Sequence, residues 1–394
     1  MGCHSSVSPL VVNLWGHLGG GFGLGEGALC TARALRAAGL TVQLRHLPLA
    51  THADGAEGAA AGPAAAAIDL VHTNPNVLRQ TDGLAERLQL EAPLRIGFWA
   101  WELEAFPDGW EVGFSGLDQL WCPSPFCATS LGQRSPVPVT ALPHLIDWQR
   151  ADRLAQLRAG RSGGGEPFTV LYAFDFWSTR GRKNPDGVIE TFLAAFPAGG
   201  ALEARLVLKL ASASQFPEAT AQLVERCAGD SRLQLITNHL SAGAFDALYA
   251  QADVVLSLHR AEGFGLLLAE AMAAGIPTVA SGYGGNLCFM PPGSAVLVPC
   301  RRVAIQRSEG DYRAGWCWGE PDLEVAAAAL RRLAEHPDQA AQLGAAGRRA
   351  VRQALDPAAL AAVVAERIGC LLRWGGRAEL VKALPPDHPL RRLQ

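Results

Sequence analysis

Residues 259–270 read His259-Arg260-Ala261-Glu262-Gly263-Phe264-Gly265-Leu266-Leu267-Leu268-Ala269-Glu270 and follow the short apolar run 254–258. An apolar run that ends in two glycines and passes into helical spacing predicts a strand, a tight turn and a helix over 266–274. Glycines at such a turn let the backbone approach a ligand, and the helix start presents unpaired N–H groups carrying partial positive charge, which suits a phosphate. Glu262 lies in the turn and Glu270 eight residues on. A carboxylate accepts two hydrogen bonds at once and therefore suits the vicinal hydroxyls of a ribose or hexose. The same two residues also fit a plainer arrangement, in which Glu270 complements the helix dipole and Glu262 is a solvated loop side chain.

Outward from this stretch the chain alternates short apolar runs with helical segments. Before it, strands are expected at 168–174, 204–209 and 233–237, with helices at 187–196, 219–228 and 244–251; after it comes a strand at 278–280. The N-terminal third repeats the alternation, with strands at 10–15, 41–47, 68–72, 95–99, 119–122 and 139–142 and a helix at 28–38 after a glycine-rich loop. This pattern predicts an α/β chain of two doubly wound, largely parallel sheets. Residues 151–167, rich in charge and then in glycine, read as a linker between a domain at 1–150 and a second at 168–372, whose tail is helical.

The 394 residues carry 34 Lys and Arg against 37 Asp and Glu, a formal charge of −3. That balance leaves no basic excess to neutralise a run of phosphates and argues against a dedicated nucleic-acid binder. No apolar stretch approaches the length of a membrane span, and the N-terminus lacks a secretory pattern, so a cytoplasmic protein is expected. The nine cysteines form no C-x-x-C pair and the histidines no helical pair, so no metal site is expected.

Three further stretches carry chemistry. Asp175-Phe176-Trp177-Ser178-Thr179-Arg180-Gly181-Arg182-Lys183-Asn184-Pro185 follows the first strand of the second domain, and its cations suit the negative charge that develops on a departing diphosphate. Lys183 and Arg182 are the candidates, with Arg180 an alternative to Arg182. In Gly97-Phe98-Trp99-Ala100-Trp101-Glu102-Leu103-Glu104 the tryptophans either stack on sugar faces or pack a loop on the core, and Glu102 is placed at the site. The N-terminal loop matches G-x-G-x-x-A at Gly23, Gly25 and Ala28, which alone suggests a dinucleotide site, but Gln43-Leu44-Arg45-His46 stands where the acidic ribose partner belongs. His72, His144 and Asp147 read as structural.

Together these motifs resemble the retaining glycosyltransferases of family 4, which have the GT-B fold of two Rossmann-like domains facing a central cleft. The resemblance rests on Glu262-Gly263-Phe264-Gly265-Leu266, on Glu270-Ala271-Met272-Ala273-Ala274-Gly275-Ile276-Pro277, on the stretch 245–255 and on Gly282, Gly284 and Gly285. The W-x-W-E and F-D with R-K-N-P patterns are similar to a subset of that family, and Trp318-Gly319-Glu320-Pro321-Asp322 is similar to its W-A-E-P-D. The resemblance implies that Glu270 holds the ribose of a nucleotide-sugar donor and Glu262 contacts the transferred sugar. It implies that backbone groups of Gly263, Phe264, Gly265 and Leu266 bind sugar and diphosphate, and that Gly23 and Gly25 face the donor phosphates. It further implies that the C-terminal helix, about 373–394, packs back on the first domain.

The expected activity is transfer of a hexose, with retention, from a UDP- or GDP-sugar to a hydroxyl acceptor such as a glycan, a lipid-linked glycan or a metabolite. No cofactor beyond the donor, no metal, no nucleic-acid partner and at most weak peripheral membrane contact are expected. The rival readings are an NAD(P)-dependent oxidoreductase using the N-terminal loop, and a non-catalytic sugar-nucleotide-binding subunit.

Overall fold

The computed structural model describes residues 10–18, 23–49, 66–79, 90–160, 166–374 and 390. The chain divides into two α/β units: Met1–Trp101, Phe106–Ile146 and Leu355–Gln394 form the first, and Glu102–Ala105 with Asp147–Ala354 the second.

In the first unit, β1 (Val11–Gly16), β2 (Thr41–His46), β3 (Ile68–His72), β4 (Leu94–Phe98), β5 (Gln119–Cys122) and β6 (Val139–Ala141) form one sheet ordered β2-β1-β3-β4-β5-β6. Every pairing is parallel, and β3 and β5 are buried along their whole length, as in sheets covered on both faces, whose central strands read as apolar runs. The exception in β3 is Asp69, fully buried, whose carboxylate accepts hydrogen bonds from Asn13 Nδ2 (2.9 Å), Trp15 Nε1 (3.0 Å) and the Ala92 amide (3.0 Å). Three donors offset the cost of burying its charge.

The helix Gly23–Ala37 begins five residues before the expected start, inside the stretch read as a loop. Close packing is the reason for Gly27. A Cβ on Gly27 would lie 3.0 Å from His72 Nε2 and 3.1 Å from His144 Cε1. Both histidines are buried and stack with Phe98, at 4.1 and 5.5 Å between ring centroids. The Thr31 hydroxyl donates to the Gly27 carbonyl, so His72 Nδ1–H donates to Thr31 Oγ1 at 3.1 Å and fixes the tautomer.

Two boundaries differ from the sequence reading. The charged stretch taken as a linker starts as the helix Trp148–Ala159, because the Asp147 carboxylate caps it by accepting from the Arg150 amide at 2.9 Å; it stops at Gly160. Residues 161–165 lie outside the described ones. The helix Pro357–Trp374, read as the end of the second domain, belongs to the first unit and packs on Gly23–Ala37 through a face that buries Leu360, Val364, Ile368 and Leu372. Most of the expected return segment 373–394 lies outside the described residues.

In the second unit, β7 (Phe168–Asp175), β8 (Ala204–Ala211), β9 (Leu233–Ile236), β10 (Val254–Ser257), β11 (Thr278–Ser281) and β12 (Val296–Val298) form a parallel sheet ordered β9-β8-β7-β10-β11-β12. Counted from β7, this is the 3-2-1-4-5-6 order of a dinucleotide-type fold, with its direction reversing between β7 and β10. An antiparallel hairpin, β13 (Cys300–Ala304) with β14 (Cys317–Pro321), was not anticipated. Its sequence, Cys300-Arg301-Arg302-Val303-Ala304, alternates too weakly to signal a strand.

Burial lowers His144 from its ordinary 6.5 to about 3, helped by Arg33, and burial likewise pulls His72 well down. The folded protein thus refuses protons that the unfolded chain takes up. This contribution to stability is complete above pH 6.5 and is lost as pH falls toward 3. Denaturant titrations are expected to show a declining acid arm over that window, and His144→Gln should flatten its slope by up to about 1.4 kcal/mol per pH unit.

Candidate active site

Ligands of open α/β sheets sit beyond the carboxyl ends of the strands where the strand order reverses. In the second unit those ends lead into Phe176–Ser178 and the helical turn Arg180–Lys183 after β7, and into 258–265 after β10. The sequence candidates Arg182, Lys183 and Glu262 are therefore neighbours although 79 residues separate Lys183 from Glu262.

Backbone hydrogen bonds from side chains stitch the two segments together. Arg182, only 3% exposed, donates from Nε to the Ser178 carbonyl (3.0 Å) and from Nη1 to the Ala261 carbonyl (2.9 Å). Asn184 donates to the Leu258 carbonyl at 3.0 Å, and its own carbonyl oxygen accepts from the Gly187 amide, capping the helix Pro185–Ala195. Asn184 stands at φ 56°, the left-handed region that asparagine tolerates better than most residues, and Pro185 follows at the first helical position. From the other side, the Arg260 amide donates to the Arg182 carbonyl (2.8 Å) and Arg260 Nη1 to the Gly181 carbonyl (2.7 Å).

The W-G-E-P-D stretch now has a physical role. Glu320 holds Arg260 through two bonds of 2.5 and 2.9 Å, the Trp318 ring lies under the same guanidinium, and the Gly319 amide donates to the Arg260 carbonyl. Asp322 caps the helix Leu323–Glu335. The hairpin is a strap on the Glu262 segment.

At the centre, Lys183 Nζ lies 2.6 Å from Glu262 Oε2, with their side chains 19% and 14% exposed. Arg182 stands 3.9 Å from the same oxygen and 3.7 Å from Glu102 Oε1. Burial alone would raise the Glu262 carboxyl, but Lys183 and then Arg182 overcome it and bring it down to about 2. Burial pulls Lys183 below the lysine range while Glu262 opposes it. Arg182 is held above the ordinary arginine range: burial works against its charge, and Tyr312, Glu102 and Glu262 outweigh it. His259, buried at the end of β10, is lowered by burial to about 4 and stays neutral; its Nε2–H donates to the Tyr283 carbonyl and its Nδ1 accepts from Ser257.

The signature glycines serve the loop geometry. Gly265 at φ 94° precedes the helix Leu266–Ala273, and Gly284 at φ 105° lets the chain pass so close that a Cβ would meet the Glu262 carbonyl at 2.7 Å. The Gly285 amide donates to that carbonyl. Gly263 is buried, Phe264 packs on Phe289, and Leu266 opens the helix. About one turn on, Glu270 Oε1 accepts from Arg150 Nη1 at 2.7 Å, and the Tyr249 hydroxyl lies 3.1 Å from Oε2.

Other candidates are placed differently. Arg180 is turned to Asp186 through bonds of 2.9 and 2.7 Å and to Gln222, so Arg182 is the arginine beside Glu262. Glu102, in the piece of the W-x-W-E stretch that belongs to the second unit, accepts from the Tyr312 hydroxyl at 2.9 Å. Trp99 and Trp101 are 2% exposed and pack on Trp110 in the first unit, so the core reading of these rings holds and the sugar-stacking one does not. Gly23 and Gly25 open the helix Gly23–Ala37 of the first unit. Sequence reading missed Tyr312, Arg150 and Tyr249 as members of these networks. Tyr249 lay within a stretch already singled out, and Arg150 stood at the last position of the expected first domain, next to the linker at 151–167.

Residues 231–350 match the family described as Glycosyl transferases group 1. The chain is 29% identical over 192 residues to a trehalose synthase from Rubrobacter xylanophilus, a match covering 47% of this chain and 39% of that protein. Among solved structures, Anabaena HepE in complex with UDP and glucose superposes with a TM-score of 0.61 at 13% identity, covering 91% of this chain and 99% of that one. Sucrose-phosphate synthase from Thermosynechococcus elongatus gives 0.62 at 19% identity, covering 92% and 98%. The chain thus has the GT-B fold of two Rossmann-like domains, and its residues 231–350 are similar to the group 1 glycosyltransferases. Among the described residues no helix is long and apolar enough to cross a membrane, and no group of three or more His, Cys, Asp or Glu can hold a metal ion.

Removing one partner of a largely buried ion pair leaves an uncompensated charge. Lys183→Met and Glu262→Gln are each expected to destabilise the second unit by about 3 kcal/mol, and the double variant by clearly less than the sum. Urea unfolding of the three variants measures this coupling.

Proposed function

We propose that this protein is a retaining glycosyltransferase that moves a hexose from a nucleoside diphosphate sugar to a hydroxyl acceptor. The observation that carries the reading is the Lys183–Glu262 pair at the switch point of a sheet whose later half matches the group 1 glycosyltransferases. In this reading the second unit binds the donor and the first the acceptor. UDP and GDP are the favoured nucleotides, UDP having the added support that HepE is known in complex with it.

Each residue has a task that its chemistry suits. Lys183 stabilises the negative charge that gathers on the diphosphate as the anomeric C–O bond breaks. Arg182 holds the two loops in register and, with Glu102, sets the field around the pair. Glu262 stays ionised far below neutrality, so it orients sugar hydroxyls by accepting hydrogen bonds. Backbone groups of Gly263–Leu266 and the start of the helix Leu266–Ala273 take sugar and phosphate oxygens, and Glu270 takes the ribose hydroxyls. Gly23 and Gly25 supply backbone donors to a phosphate. Retention follows a front-face course: the acceptor oxygen bonds to the anomeric carbon on the face the diphosphate leaves, and the acceptor proton passes to a departing phosphate oxygen.

A thermal-shift screen of UDP, GDP, ADP and their sugar conjugates, with NAD(H) and NADP(H) alongside, tests this. At 100 times its dissociation constant the true nucleotide should add about 2.7 kcal/mol to stability, and Glu270→Ala should abolish the shift. Stabilisation by NAD(H) or NADP(H) alone would identify an oxidoreductase and overturn the proposal. With the donor in hand, Lys183→Ala is expected to lower kcat about 10²- to 10³-fold, read as release of nucleoside diphosphate.

A further inference from the structure

Resting on the reading of Glu270 as the ribose-holding carboxylate, we infer that Arg150 and Tyr249 are positioning residues that fix this carboxylate, and so set the preference for a ribonucleotide donor. Three helices meet at Glu270. Arg150 comes from Trp148–Ala159, Tyr249 from Ala242–Gln251 and Glu270 from Leu266–Ala273. Arg150 Nη1 donates to Glu270 Oε1 at 2.7 Å, while its Nε donates to Asp246 Oδ1 at 2.7 Å and its guanidinium lies 5.7 Å from the Tyr249 ring centre. A guanidinium is a rigid planar fork, so anchoring one edge on Asp246 aims the other edge at Glu270.

The Tyr249 hydroxyl has one proton for two acceptors, Glu270 Oε2 at 3.1 Å and the Leu267 carbonyl at 3.2 Å, and the charged acceptor binds it more strongly. One donor on each oxygen fixes both the rotation and the tilt of the carboxylate. Yet the Glu270 side chain keeps 22% of its surface open, and Arg150 the same. A carboxylate offers about four lone-pair directions, and the part of Glu270 that faces solvent is where a ribose diol would meet it. A carboxylate so held meets a ribose diol without losing rotamer freedom on binding, which is where positioning yields affinity.

Isothermal titration of whichever of UDP, GDP and ADP binds tightest, against its 2′-deoxy and 3′-deoxy counterparts, separates positioning from general support. The wild type should favour the ribonucleotide by roughly 10- to 100-fold, the worth of a hydrogen bond to a charged group. Glu270→Ala should bring the ratio near parity. Arg150→Met and Tyr249→Phe should each cut the ratio about threefold to tenfold while leaving deoxy-nucleotide affinity nearly unchanged; a merely structural role would lower both affinities together. Tyr249→Phe removes a single hydroxyl and keeps the ring, so the test stands if Arg150→Met fails to fold. If Glu270→Ala collapses the ratio but Arg150→Met and Tyr249→Phe keep it, the positioning inference is wrong. If Glu270→Ala keeps the ratio, or none of the three nucleotides binds, the reading of Glu270 itself falls, and the inference with it.

Discussion

The buried guanidinium of Arg182 is the constraint around which the second unit's site is arranged. A cation taken out of water must recover its lost hydration from the protein, and Arg182 does so from two directions. Its bonds to the Ser178 and Ala261 carbonyls tie the segment after β7 to the segment after β10. Glu262 and Glu102 supply the opposing charge. Because Lys183 is the next residue along a helical turn, fixing Arg182 also fixes where the Lys183 ammonium stands, 2.6 Å from Glu262. Geometry and electrostatics at the site thus have one origin.

The hairpin β13–β14 and its connecting segment extend this arrangement. Glu320 grips Arg260, whose backbone and side chain in turn hold the Arg180–Lys183 turn, and Tyr312 presents its hydroxyl to Glu102 while its ring lies 5.8 Å from the Arg182 guanidinium. Arg302 of the hairpin and the Tyr283 hydroxyl both donate to Glu104. Charges that in isolation look like a solvated basic turn are therefore almost all committed to partners. Lys183 is partnered by a carboxylate that it and Arg182 hold well below the usual carboxylate range, while burial pulls Lys183 itself down and Glu262 opposes that pull.

The first unit uses its buried polar groups differently. Asp69 and the histidines His72 and His144 sit among aromatic rings and glycine, and serve packing and tautomer-fixed hydrogen bonds. The G-x-G-x-x-A pattern, which by spacing suggested a dinucleotide loop, is in fact the opening of a helix pressed onto those histidines, with Gly27 absent a side chain because none fits. The spacing was visible in the sequence; the close approach that explains it was not.

The local pattern determined the alternation of strands and helices, the strand–turn–helix around Glu262 and the chemistry available there, because these depend on periodicity and on glycine placement within a few residues. Strands such as Ile68–His72 and Gln119–Cys122 stand where their spacing puts them. Tertiary structure alone decided which cation meets which carboxylate. Arg180 and Arg182 are indistinguishable by composition, yet one is drawn to Asp186 on the adjacent helix and the other is buried against Ala261. It also decided that Arg150 belongs to Glu270, that the helix Pro357–Trp374 joins the first unit, and that a weakly patterned hairpin straps the site. Pairings across 60 to 120 residues of chain depend on where the sheet brings its strand ends, and no local periodicity encodes that.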